Sequence, residues 1–263
     1  MKQIDIHHCV QSLRLQLLDM SRVAQRAVDY SIKACSLGSI EACTNVRDAA
    51  DEINMLHRET TEISSELLLM ELPAESDLRF ALSAERIADA LLSIYLHASE
   101  IAANSMRLQK NGQRTGYLGL NTMGEVVNSL MRLCIIALFE EDTEHAETVL
   151  HHHGVARLFE LTFYDWYRGI DRRLRAQASY ELAITKDLAR MARQIHEVAD
   201  AIRFWLEGTD GGSAADTDTE HVMIGEPELE LTEQETVALP DGMETFLLSV
   251  DACFANASFW SRL

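Results

Sequence analysis

The stretch Met70-Glu-Leu-Pro73-Ala-Glu-Ser76-Asp77-Leu78-Arg79 decides how the chain folds. Apolar residues at helical spacing run up to it: Val46, Ile53, Leu56, Ile63 and Leu67. Pro73 cannot continue a helix, because it lacks the backbone N–H and its ring clashes with the preceding turn. Ser76 offers a hydroxyl oxygen to cap a new start. Leu78, Leu82, Ile87, Leu91, Ile94, Ala98 and Ile101 then recur with the same period. One long helix therefore ends near residue 70 and another begins near residue 76. So short a break folds neighbouring helices back antiparallel.

The same punctuation extends outward. Leu13, Leu17, Met20, Val23, Ala24, Ala27, Val28 and Ile32 make a first helical stripe between Val10 and Cys35. Gly38 stops it, and Ser39 caps the second helix with Glu41 in its first turn. Beyond the third helix, Lys110-Asn-Gly-Gln-Arg-Thr-Gly116 is a basic, turn-forming loop. A fourth helix is predicted over 122–139. A fifth runs from the Glu140-Glu-Asp-Thr143 turn to about residue 170, and a sixth covers 176–207, closed by Gly208. No convincing period-2 strand interrupts this body; the segment 226–238, with Leu229 and Leu231 alternating, is the one candidate strand. Three long helices followed by three more read as an internal repeat. The expectation is an all-α protein of two tandem antiparallel three-helix bundles, residues 1–109 and 122–208, joined by a loop over 110–121.

Composition narrows the function. The chain has 263 residues, 42 Asp+Glu against 23 Lys+Arg, and a net charge of −19. Such a chain repels nucleic acid, which demands a basic face for its phosphates. Five cysteines without paired spacing do not make a disulfide framework, so the thiols are read as reduced and the compartment as cytoplasmic. No run of about 18 apolar residues predicts a membrane span, and Met-Lys-Gln-Ile-Asp-Ile-His-His lacks the apolar stretch of a signal peptide. The acidity is uneven. From Glu207 onward 13 acids face one base, Arg262, whereas the preceding residues carry a net −7. Residues 209–241 read as an acidic linker. Residues 242–263 read as a terminal amphipathic helix, with Met243, Phe246, Leu247, Val250 and Phe254 at i, i+3, i+4, i+7 spacing and Trp260 near its end. It either folds back as a seventh helix or docks in a homodimer or on a partner, which makes Phe254 and Trp260 candidate contact residues. Its acidic tether argues against a membrane surface.

Pro73-x-x-Ser76-Asp77-Leu78-Arg79 resembles the P-x-x-S-D-L-R segment between the second and third helices of PhoU-type phosphate-signalling regulators. Ile53-Asn54-Met55-Leu56 through Glu62, Glu140 to Thr143 with Ala146-Glu147, and Leu188-x-Arg190-Met191-Ala192 leading to Trp205-Leu-Glu-Gly208 agree in pattern over about residues 10–208. The resemblance implies a non-enzymatic regulator of phosphate uptake and phosphate-starvation signalling. Its implied partners are the ATPase subunit of a phosphate transporter and a membrane sensor histidine kinase, so it would reach the inner membrane only through proteins. That family carries an E-R-I-G-D-type motif in the third helix of each repeat, implying metal clusters. Here the register places it on Leu92 to Leu96 and on Ala189 to Arg193, where both carboxylates are missing.

An E-x-x-x-D pair does occur at Glu85-Arg86-Ile87-Ala88-Asp89, seven residues early. Its carboxylates share a helix face, and Glu62 would be a third ligand for a divalent metal ion; the plain alternative is a solvated carboxylate pair. A metal-binding bundle and a dimeric helical scaffold unrelated to phosphate are accordingly the competing functions. His145 and His151-His152-His153 form the densest imidazole group, read as a polar titratable face, since successive helical side chains point about 100° apart. Cys35, Cys43 and Cys134 lie on apolar stripes as inert thiols, and Phe159, Phe163, Trp166 and Tyr167 form a packing stripe. Arg168, Arg172, Arg173 and Arg175 make the most basic patch, either a partner surface or a solvated turn. No P-loop, dinucleotide or nucleophile-elbow motif is present, so no enzyme is predicted and no cofactor beyond a metal ion is considered.

Overall fold

Gly38 and Gly208 end their helices as expected, each in the left-handed region that glycine enters without a Cβ clash (φ 69° and 71°). The Gly208 N–H closes on the Phe204 carbonyl at 2.9 Å. Ser39 caps the next helix, its Oγ accepting the Ala42 N–H at 3.1 Å. The computed structural model describes residues 6–70, 74–110, 117 and 119–208. Pro73, most of the basic loop, the candidate strand, the acidic linker and the terminal helix with Phe254 and Trp260 lie outside the described residues.

The helices are α1 (Ile6–Leu37), α2 (Ile40–Asp48), α3 (Ala50–Leu68), α4 (Glu75–Lys110), α5 (Gly119–Glu140), α6 (Thr143–Leu150), α7 (Val155–Arg168) and α8 (Arg175–Glu207), with a 3₁₀ turn Arg172–Leu174 before α8. No strand occurs among the described residues. The fold class is all-α. The middle helix of each repeat departs from expectation, because both are broken after about two turns. α2 gives way to α3 at Ala49, and α6 to α7 across 151–154. The second break carries two imidazole contacts. His151 and His152 each donate Nδ1–H to the carbonyl four residues back, Glu147 and Thr148, at 2.7 Å. The His152 imidazole acts as a C-terminal cap, since its own backbone N–H turns to Val149 and leaves the Thr148 carbonyl, whereas the Glu147 carbonyl already accepts the His151 N–H at 2.9 Å. The histidine run is therefore a turn and not the face of a continuous helix. Ser76 is also corrected: α4 begins at Glu75, and the carbonyl of Ala74 accepts the N–H groups of Asp77 and Leu78.

α1, α3 and α4 pack together, as do α5, α7 and α8 with α6. The most extensive packing joins α4 to α8, and α1 also meets α5, so the two repeats share one apolar core. Gly124 permits the second junction: a Cβ there would stand 3.1 Å from Ile32 Cγ2. α5 is long and apolar enough to cross a membrane by composition, yet 67% of its apolar window is buried inside the protein. Its apolar surface is thus consumed by the core.

Phe80 is among the largest fully buried side chains and packs on Trp205 with ring centroids 4.7 Å apart. Phe80→Ala is expected to lower stability in denaturant titrations by about 3–5 kcal/mol, because it leaves a cavity at the repeat junction. Leu82→Ala, on the exposed side of the same helix, should stay within about 0.5 kcal/mol.

Candidate functional site

The site is built on the long seam between α4 and α8. Its contacts step forward along α4 while stepping back along α8, so the helices run antiparallel. Arg79 Nε donates to the Trp205 carbonyl at 3.2 Å, while its Nη1 holds Glu75 at 2.9 Å. Arg86 reaches Asp200 at 2.9 Å and Glu197 at 3.7 Å. His97 Nδ1 lies 3.2 Å from Asp187, whose carboxylate also takes Arg190 at 3.3 Å. Asp187 is only 5% exposed, so this acid has lost most of its water and depends on those two partners. Arg203 joins Asp200 to Glu147 of α6 at 2.7 and 3.2 Å. At the end nearest Gly208, the Arg14 guanidinium sits 5.3 Å from the ring centres of both Phe80 and Trp205 and pairs with Glu141. Sequence reading missed Arg14, His97 and Asp187 in these roles. Arg79 and Trp205 carried a signal through the family-like segments, and Arg86 through the Glu85–Asp89 pair.

Against this frame α4 presents one outward face. At 100° per residue Leu78, Leu82, Glu85, Asp89 and Leu96 fall within a sector of about 60°. Leu78, Leu82 and Leu96 are all exposed, Leu96 by 53%. Asp89 is held by His57 Nε2 of α3 at 2.7 Å, Glu85 is half-buried and Glu62 is exposed on α3. Among the described residues no three His, Cys, Asp or Glu side chains are grouped to hold a metal ion. The family's carboxylate positions fare no better. Leu92 is half-buried against the core, Ala189 is buried, and Arg193 pairs with Glu160 of α7 at 3.2 Å. None of these supplies a ligand atom for a cation, and the donor set does not fit the metal clusters that the motif implies.

The opposite end of the molecule carries the arginines. Arg168 pairs with Asp165 at 3.7 Å, and the Asp171 carboxylate accepts the backbone N–H of Arg173. Arg172, Arg173 and Arg175 form no ion pair among the described residues. Nearby, Phe159 and Phe163 are fully buried, and Trp166 and Tyr167 close around Phe163 together with Tyr117. The aromatic stripe is thus packing. Burial pushes the Tyr117 hydroxyl well above its usual range, reinforced by the acid Glu181, itself 2% exposed. Burial likewise raises the thiols of Cys43 and Cys134, which donate to the carbonyls of Ala102 and Ile195.

The histidines gather around the α6–α7 break. Burial pushes the Asp142 carboxyl up, yet hydrogen bonds from His145 and the Glu144 N–H, with the His145 charge, hold it below its usual range. His196 of α8 donates Nδ1–H to the Ala192 carbonyl at 2.7 Å, while its Nε2 is buried without a hydrogen-bond partner among the described residues. Burial lowers its pKa most; the backbone of Ala192, and more weakly that of His152, opposes this, and the charges of the neighbouring His153 and His152 lower it further.

No family model matches the chain. It is 23% identical over 135 residues to the phosphate-specific transport system accessory protein PhoU homolog of Aquifex aeolicus, covering 51% of this chain and 61% of that protein. Against the homolog of the same name from Pseudomonas aeruginosa it is 23% identical over 205 residues, 76% of this chain and 85% of the other. The crystal structure of PhoU from Pseudomonas aeruginosa superposes with a TM-score of 0.71 at 22% identity, covering 78% of this chain and all of that one. The phosphate transport system regulatory protein PhoU from Streptococcus pneumoniae gives 0.62 at 18% identity, covering 78% and 98%. The fold is shared.

The His196 geometry gives a pH prediction. Its folded pKa lies below the ordinary value of 6.5, so as the pH falls the unfolded chain takes up the proton first. This contribution to stability is present above that value and is lost progressively below it. Comparing melting temperature between about pH 7.5 and about pH 5.5, the His196→Gln variant should lose less stability than the parent. An equal loss would show that the imidazole does not drive the acid sensitivity.

Proposed function

We propose that this chain, a divergent PhoU-like protein, is a non-enzymatic accessory regulator of a phosphate-specific transport system, acting by presenting helix surfaces to protein partners. The observation that carries the reading is the match of 78% of this chain to the full length of the Pseudomonas aeruginosa PhoU structure, at a TM-score of 0.71. The finer reading names the partners as a phosphate transporter's ATPase subunit and a sensor histidine kinase, met at the cytoplasmic face of the membrane. Two features support recognition of proteins. Leu78, Leu82 and Leu96 stand exposed on one face of α4, and apolar side chains held on a rigid helix are a common docking element. The arginine end offers charge to an acidic partner surface. The output of such a protein is a coupling free energy between two binding events, not a rate of chemistry.

The test is cross-linking of the untagged protein in source cells, grown phosphate-rich and phosphate-starved, with partners identified by mass spectrometry. A transporter ATPase subunit or sensor kinase should be recovered, with a yield that changes between the two conditions. The double variant Leu78→Asp/Leu82→Asp should reduce that yield roughly ten-fold, the effect of losing about 1.4 kcal/mol of contact. Recovery of neither partner from either culture would remove the phosphate assignment.

A further inference from the structure

Between Leu78 and Leu96 the outward face of α4 changes chemistry twice. Leu78 and Leu82 stand one turn apart at one end, and Leu92 and Leu96 one turn apart at the other. The centres of the two pairs lie about 21 Å apart along the helix. Leu78, Leu82 and Leu96 are exposed, and Leu92 is half-buried beside them. Glu85 and Asp89, again one turn apart, fill the space between the pairs. α3 and α8 both pack on α4 without meeting each other, so the strip lies open between two flanking helices.

The acids of this strip keep their charge. Arg79 and Arg86 are the only arginines of α4 in this stretch, which holds no lysine. Arg79 turns to Glu75 and the Trp205 carbonyl, and Arg86 to Asp200 and Glu197 of α8. Glu85 forms no ion pair among the described residues. Asp89 meets His57 at 2.7 Å, yet its side chain stays 68% exposed. Exposed Glu100 follows one turn beyond Leu96, and Glu197 stands exposed on the α8 flank.

Two apolar ends and an acidic centre define the complement. Resting on the reading of this chain as a protein-binding regulator, we propose that the strip docks an amphipathic helix of a partner protein, one with apolar residues at both ends of its contact face and Lys or Arg between them. The leucines supply the area to be buried, as in other helix-on-groove contacts. Glu85 and Asp89 set the register and exclude acidic helices, since like charges brought together at an interface are costly. A second copy of this chain brings a net charge of −19, and its segment 242–263 sets Glu244 and Asp251 against Arg262. Neither offers the positive charge that the strip lacks.

The test uses a fluorescein-labelled helical peptide of about 18 residues, the length from Leu78 to Leu96. One face carries leucines at both ends and lysines between; a control peptide has glutamate for every lysine. Fluorescence anisotropy at low salt reads binding to the full chain. The parent should bind the lysine peptide at least about ten-fold more tightly than the control. Leu78→Asp/Leu82→Asp should weaken the lysine peptide roughly ten-fold. E85K/D89K should reverse the preference and favour the glutamate peptide, a rescue that diffuse attraction to an acidic protein does not produce. Circular dichroism checks that helix content is kept. If E85K/D89K fails to fold, Glu85→Lys alone decides, because it removes no described ion pair; it should narrow the preference. No binding of the lysine peptide by the parent would overturn the proposal, as would equal affinity for both peptides or binding indifferent to Leu78→Asp/Leu82→Asp. So would a mass that doubles with concentration in the parent and not in Leu78→Asp/Leu82→Asp, which would seat a second copy on the strip. These outcomes stand apart from the cross-linking result, since the peptide carries no identity from a phosphate system.

Discussion

Covering the inner face of α4 with α8 is the constraint on which the rest of the molecule depends. Both helices are about 50 Å long, and both belong to one apolar cluster that runs through the two repeats. Fully burying a large apolar side chain contributes about 1.5–3 kcal/mol, whereas an exposed ion pair contributes about 0–1 kcal/mol. Burial therefore drives the two repeats together. The polar contacts choose the register. Arg79 on the Trp205 carbonyl, Arg86 on Asp200 and His97 on Asp187 are spread along the seam. A slip of one helical turn, about 5.4 Å, would break all three at once.

How much of this was legible follows from how far each signal travels along the chain. Gly38, Ser39 and Gly208 act on their immediate neighbours, and their stop and start signals describe the structure. The repeat of long helices was legible because period 3.6 persists over many residues in each. Ala49 was not, since a break without proline or glycine leaves no local mark. The histidine break was read as a titratable face because side-chain capping of a backbone carbonyl imitates no sequence motif. The seam contacts join residues about 90 to 126 apart, such as His97 with Asp187 and Arg79 with Trp205. Only a fold brings such pairs into view, which is why the most connected residues of the site went unseen.

The chain shares the fold of the solved PhoU structures at 22% identity or below. The positions where the family motif would place carboxylates hold Leu92, Leu96, Ala189 and Arg193. Of these, only Leu96 is both exposed and apolar, and it continues the line set by Leu78 and Leu82. The outward face of α4 is thus a mixed apolar and acidic strip, with Asp89 held by His57 and not left to a cation. Such a strip suits a protein surface better than an ion.

The link between Arg79 and the last turn of α8 also bears on how the polypeptide comes into being. The ribosome completes α4 long before it begins α8. The face of α4 that α8 covers must therefore wait, uncovered, while the whole second repeat is made. Contacts so distant in sequence close late, and an exposed apolar helix face invites association with other chains in the interval. Because the acidic segment follows Gly208, α8 has already been synthesised while the chain is still tethered to the ribosome. The last helix can then close on the first repeat before release, and the freed polypeptide carries its negative charge away from its neighbours.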